Sequence, residues 1–292
     1  MIKSFLLKNK AVHARMAPAV SVLEEVLLSE SAESGLADER ELDYKGAKGF
    51  VVGVLGAKGG VGATTTAINL SVALSRQVGS TILLDANMQQ PDAAVMLGRE
   101  PKYSLLDLLQ RADELDASVL DACLIPVADG VGGCALLSPP LDGEALVKSH
   151  LTEVAACLEN MRGFSESWLI DLPKHLDRHL VTLMDSCDRI LLVLEPTLLS
   201  ISSARRWLSV FLELGYAAQK IVCVVNRCGG KVKDVEEFIG AFPQFSKLDY
   251  IPNAFQLTQK CSIHGEPAVV RHPRQAYSKA IEKLATRLTG TV

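Results

Sequence analysis

The chain has no C-x-x-C pair, no long uncharged apolar run, no surplus of charge of either sign and no internal repeat. Each absence removes a class of protein. Seven cysteines without that spacing, mostly in apolar segments such as Cys223 in "IVCVVNR", read as buried free thiols of a reducing compartment. The longest late apolar run, "ILLVLEPTLLS" from Ile190, carries Glu195 and Pro196 and falls far short of a membrane span. Lys8 breaks the opening "MIKSFLLKNK" too early for a secretory signal. The expected location is therefore the cytoplasm. A net charge of −4 in 292 residues gives no general attraction to nucleic acid. What remains, 48% hydrophobic and 22% charged, suits one large α/β domain plus an appendage.

The appendage is expected at residues 1–48. "SESAESGLADERELDYKG", from Ser29, is acidic and polar, as a linker is. Before it, Val20, Leu23, Val26 and Leu27 recur at helical spacing, as a short helix that straps onto the main domain or docks on a partner, or as a tethered tail. Residues 49–292 form the main domain. From Phe50 onward, short β-branched runs alternate with helical patterns, which predicts a mostly parallel sheet with helices on both faces. The predicted strands are "FVVGVLG", "STILLDA", "GCALLSP", "SWLIDLP", "RILLVLEP", "KIVCVVN" and "KLDYIPN". Predicted helices span 64–76, 104–110, 143–161, 200–214, 232–242 and 273–288.

One stretch carries chemistry. "FVVGVLGAKGGVGATTTAINL" is strand, glycine-rich turn and helix, the setting of a phosphate loop. Gly59, Gly60 and Gly62 let backbone amides of the Lys58–Thr65 turn, Val61 and Ala63 included, close on an anion. The helix that follows points its positive end at the same place. Thr64 supplies a hydroxyl for magnesium, and Thr65 one for an inner phosphate. The strict pattern G-x-x-x-x-G-K-[ST] fails at Ala57 and Ala63. Asp85 ends "TILLD" and Asp171 ends "SWLID", where strand-terminal carboxylates hold magnesium and its waters.

These motifs resemble the ParA/MinD family of deviant Walker-A ATPases, whose loop reads K-G-G-x-G-K-[ST]. "KGGVGATT", "IDLPKHLDRHLVTLMDSCDRILLVLEP", "SSARRWL" and "VVNR" look most like the TadZ/CpaE branch, which helps position the Tad pilus machinery. The likeness runs from about Phe50 to Leu288. It implies a P-loop NTPase fold, ATP and Mg2+ as ligands, and a nucleotide-sandwiched homodimer in which Lys58 reaches the partner's phosphates. Asp85 belongs to the first switch of the resemblance, and Asp171 with Pro173 to the second. Asn226 and Arg227 match an adenine-side pair, with Pro252 packing against the base. The alternative for Asn226 is a turn cap. Residues 1–48 are too short for the receiver-like domain that this branch often carries.

Two departures bear on activity. Ala63 removes a charge-assisted phosphate contact worth about 1.5–3 kcal/mol, or roughly tenfold to a hundredfold in affinity. Asn87 stands where active relatives by resemblance carry an aspartate that orients water; an amide cannot take the proton, and such a loss costs about 10² to 10⁴ in rate. The expectation is an ATP-binding, dimerising localisation or scaffold factor for Tad-type pilus assembly, with very slow or absent hydrolysis. It would sit in the cytoplasm, at a pole or on a membrane through partners. The alternative is an active ParA/MinD-like ATPase that positions cargo on DNA or membrane.

Three other features have two readings each. Glu195, Pro196, Ser202, Arg205 and Arg206 match a family segment near the dimer face, or are plain surface charges. His175 and His179 share a helical spacing, but no third metal ligand stands near them. The last helix puts Ile281, Leu284 and Leu288 on one face and Lys279, Lys283 and Arg287 elsewhere. It either packs on the sheet or lies on membrane or DNA.

Overall fold

Strand β1 (Phe50–Gly56) is buried along its whole length, and its side chains alternate between two cores. Val51 and Leu55 face one, and Phe50, Val52 and Val54 the other. A central strand covered on both faces is what its continuous apolar run requires. The computed structural model describes residues 49–142, 151–229, 235 and 248–290. The expected segment 1–48 lies outside the described residues, as do nearly all of the helix expected at 232–242 and the first part of the one expected at 143–161.

After β1 the chain runs through α1 (Ala63–Val78), β2 (Thr81–Asp85), α2 (Asp92–Met96), α3 (Leu105–Leu109), α4 (Ala117–Cys123), β3 (Ile125–Pro126) and β4 (Cys134–Leu137). It continues with α5 (Leu151–Met161), β5 (Ser167–Asp171), α6 (Arg178–Asp185), β6 (Arg189–Leu194), α7 (Leu198–Glu213) and β7 (Ile221–Cys228). Strand β8 (Leu248–Pro252) and helices α8 (Phe255–Ile263), α9 (Ala268–Arg271) and α10 (Ala276–Leu288) complete it. The described strands form one sheet in the order β3-β4-β2-β5-β1-β6-β7-β8. All pairings are parallel except β3 with β4. The expected fold class is therefore the observed one.

Helices α1, α9 and α10 cover one face, and α3 to α7 the other. Helix α10 buries Tyr277, Ile281, Leu284, Ala285 and Leu288, and lies against α1 and β8. Its apolar side is thus spent on packing, whereas a surface-seeking helix needs that side free. Lys279, Lys283 and Arg287 point outward, the last paired with Asp249 at 2.6 Å. Among the described residues no helix is long and apolar enough to cross a membrane.

Asn69 ties two of these helices together. Its amide oxygen accepts from Val269 N–H at 3.0 Å and its nitrogen donates to the Thr65 carbonyl at 2.8 Å. Asn69→Ala leaves a buried N–H without an acceptor, which costs about 1–3 kcal/mol. Thermal unfolding should show the loss; an unchanged midpoint would mean that water or a shifted α9 replaces the bond.

Candidate functional site

Parallel strands bring their carboxyl ends to one edge of the sheet, and there the candidate residues meet. The turn between β1 and α1 is pinned at its start by Ala57 N–H on the Val193 carbonyl, at 2.8 Å. At its end Gly62 is the N-cap of α1, left-handed at φ 89°, and gives the helix no capping side chain. Gly60 is also left-handed, at φ 77°. A Cβ on Gly59 or Gly60 would meet nothing within 4 Å, so the tip of the loop is open. The first turn of α1 thus begins at an open, glycine-rich loop with no capping side chain, as an anion-binding helix end does. Ala63 is buried there, its methyl lying over Gly56.

Beside the loop, Asp85 and Asp171 stand opposite each other in register at the ends of β2 and β5. Both are almost completely buried. Asp85 accepts from Asn87 N–H at 3.0 Å and from Ala93 N–H at 3.1 Å, so it shapes the turn into α2. The Thr64 hydroxyl donates to the Asp171 carboxylate. Burial pushes Asp171 up to about 6, against the pull of Thr64 and Lys174. Asp85 is raised well above the ordinary carboxylate range, first by burial and then by the charge of Asp171.

Two adjoining buried carboxylates are raised despite the nearby Lys174, so among the described residues their charge is not fully offset. The donor set is oxygen only, with Thr64 in direct contact, and it fits a small hard cation such as Mg2+. Thr64 and Asp171 would hold the ion or its waters, while Asp85, occupied by two amides, would orient them. Bound there, Mg2+ would neutralise phosphate charge. Among the described residues no three His, Cys, Asp or Glu side chains converge as a metal cage, and that includes His175 and His179. A magnesium that takes much of its shell from phosphate and water needs no such cage.

The remaining candidates lie around this edge. Lys58 is half-buried, and its ammonium donates to the Gly59 carbonyl at 3.1 Å, on its own loop. Thr65 and Asn87 are half-buried, and Pro252 ends β8 opposite Cys228. Asn226 is buried, and its amide nitrogen donates to the Val61 carbonyl at 2.8 Å. Arg227 pairs with Glu195, and its guanidinium lies 4.9 Å from the centre of the Phe255 ring. Glu195 and Phe255 thus stand beside Arg227. In the sequence Glu195 is marked only by a segment match and Phe255 only as the last residue of "YIPNAF", a loop match that gives it no role; Phe255 is among the larger exposed apolar groups.

A family model for the CobQ/CobB/MinD/ParA nucleotide binding domain matches residues 52–257. The chain belongs to this family. An uncharacterized ATP-binding protein of Methanocaldococcus jannaschii is 25% identical over 82% of this chain and 88% of its own length. Among solved structures, a ParA family ATPase from Chlorobium tepidum superposes with a TM-score of 0.72 at 23% identity, over 82% of this chain and 99% of its own. MinD from Pyrococcus horikoshii, solved with Mg-ADP, gives 0.68 at 22% identity, over 82% of this chain and 95% of its own. At that identity the two structures speak for the fold. It is the ParA/MinD P-loop fold, and the phosphate loop lies within the matched span.

Proposed function

We propose that this ParA/MinD-family chain binds Mg-ATP weakly as a monomer and more tightly as a symmetric dimer. On this reading it acts as a localisation or scaffold factor, with Tad-type pilus assembly as its setting. The observation that supports this most directly is the composition of the loop: glycines, helix end, Thr64 and Asp171 stand together, but the position that would carry a lysine is Ala63. Backbone amides and the helix end supply binding without a cation. Hydrolysis needs charge stabilisation and a positioned water as well, and Ala63 and Asn87 withdraw both.

Lys58 then gains its role across the dimer. Nucleotide binding and self-association favour each other, because the second chain supplies the missing ammonium. Lys58→Ala should lower ATP affinity by about tenfold to a hundredfold and remove the ATP-induced dimer. Equilibrium dialysis with labelled ATP, beside light scattering, measures both. A protein that stays monomeric and empty in saturating Mg-ATP defeats the proposal. Steady-state phosphate release stimulated by DNA or anionic lipid would instead favour an active ParA/MinD-like ATPase.

A further inference from the structure

Asn226 lies where it touches the phosphate loop from the side opposite the carboxylates. Its Nδ2 donates to the Val61 carbonyl at 2.8 Å, one residue before the N-cap of α1. Its Oδ1 accepts from the N–H of Arg227, also at 2.8 Å. The two bonds fix the amide's orientation, since a flipped amide would set Nδ2 against the Arg227 N–H and Oδ1 against the Val61 carbonyl. Arg227 takes a left-handed φ of 53°, the one positive φ outside glycine among the described residues. It is kept there by the ion pair with Glu195 and the stack on Phe255. A rare backbone conformation held by two side-chain partners marks a position that the surrounding structure determines.

The fit on the loop side is tight. A Cβ at Gly62 would come within 2.5 Å of Asn226 Nδ2, so the amide fills the space that a side chain would need. The second half of the loop is thus wedged between Asn226 and the first turn of α1, where Thr66 holds the Gly62 carbonyl through both N–H and hydroxyl. In this chain Ala63 offers no polar side chain to the loop. Among the described residues the amide of Asn226 still has one N–H and one oxygen lone pair unspent, the donor and acceptor that match the N7 and N6 edge of adenine.

We propose that Asn226 is a positioning residue: it presets the phosphate loop through Val61, and it makes base recognition and phosphate affinity depend on the same amide. This deepens the nucleotide-site reading above and rests on it. The consequence separates it from plain base reading. Phosphate binding without any base must also depend on Asn226, because the loop loses its brace whether or not a base is present.

Inorganic tripolyphosphate with Mg2+ is the probe. Its affinity and that of Mg-ATP are measured by calorimetry on the full chain, for the wild type, Asn226→Ala, Asn226→Ser and Asn226→Asp. The alanine variant should bind tripolyphosphate about tenfold more weakly, and ATP by at least as much. The aspartate variant should lose more, because a carboxylate would face the Val61 carbonyl. The serine variant serves where alanine does not fold, as judged by thermal melting. Unchanged tripolyphosphate affinity beside weakened ATP binding would overturn the inference, leaving Asn226 as a base reader alone. So would a wild type that binds ATP but not tripolyphosphate. A wild type that binds neither ligand refutes the nucleotide-site reading itself.

Discussion

Asn87→Asp combined with Ala63→Lys is expected to raise ATP turnover by about 10² to 10⁴ over the native chain. The aspartate supplies a group that accepts hydrogen bonds from the attacking water and can take its proton. Asn87 is suitably placed, since its own N–H is anchored on Asp85, next to Asp171 and Thr64. The lysine supplies a cation where phosphoryl charge develops. Its Cβ would lie beside Gly56, which has no side chain to oppose it. The single variants divide the effect. Ala63→Lys should mainly tighten ATP binding, by about tenfold to a hundredfold, and Asn87→Asp should mainly change the rate. Steady-state phosphate release at saturating ATP measures turnover. A double variant that binds ATP tightly yet turns over no faster than the native chain would show that another lesion blocks hydrolysis.

The parts of this site that were legible in the sequence are those set by local chemistry. Glycines at 59, 60 and 62 between a strand and a helix leave few conformations, and strand-end aspartates are placed by the sheet itself. The seven longer strands are all readable, most of them because burial on both faces writes a continuous apolar run, while the edge strand β8, only partly buried, shows a weaker one. The two-residue β3, Ile125–Pro126, is too short to write any pattern. Helices α4 and α6 were missed although Asp116 and Asp177 cap them by accepting from Val119 and Leu180 N–H. Those N-caps were signals available and unused. Arg227 with Glu195 and Phe255 is a different case. Glu195 follows β6, Arg227 is near the end of β7 and Phe255 opens α8, so they meet only when β6, β7 and β8 align, and no spacing in the chain records their contact.

The same logic of location makes Asp171 a source of instability in the ligand-free protein. Its carboxyl titrates at about 6 in the fold against an ordinary 3.8, chiefly because burial disfavours its charge. Between these values the folded form holds a proton that the unfolded chain has released. Stability therefore falls as pH rises through that window, and the full penalty stands above about pH 6. The displacement corresponds to roughly 3 kcal/mol, and Asp85, raised by burial and by the charge of Asp171, adds a penalty of the same sign. Asp171→Asn keeps an oxygen for the Thr64 hydroxyl and removes the charge. The ligand-free variant should be more stable than the native chain by up to about 3 kcal/mol at pH 7.5, and the gain should shrink towards zero near pH 4. It should also bind nucleotide no better with Mg2+ than without. Denaturant unfolding at the two pH values, beside ATP titration with and without Mg2+, tests both halves. A variant that is less stable at pH 7.5, or a gain independent of pH, would mean that Asp171 is charged and compensated in the fold. With the expected outcome, the buried carboxylates are kept at the expense of stability because a bound cation requires them.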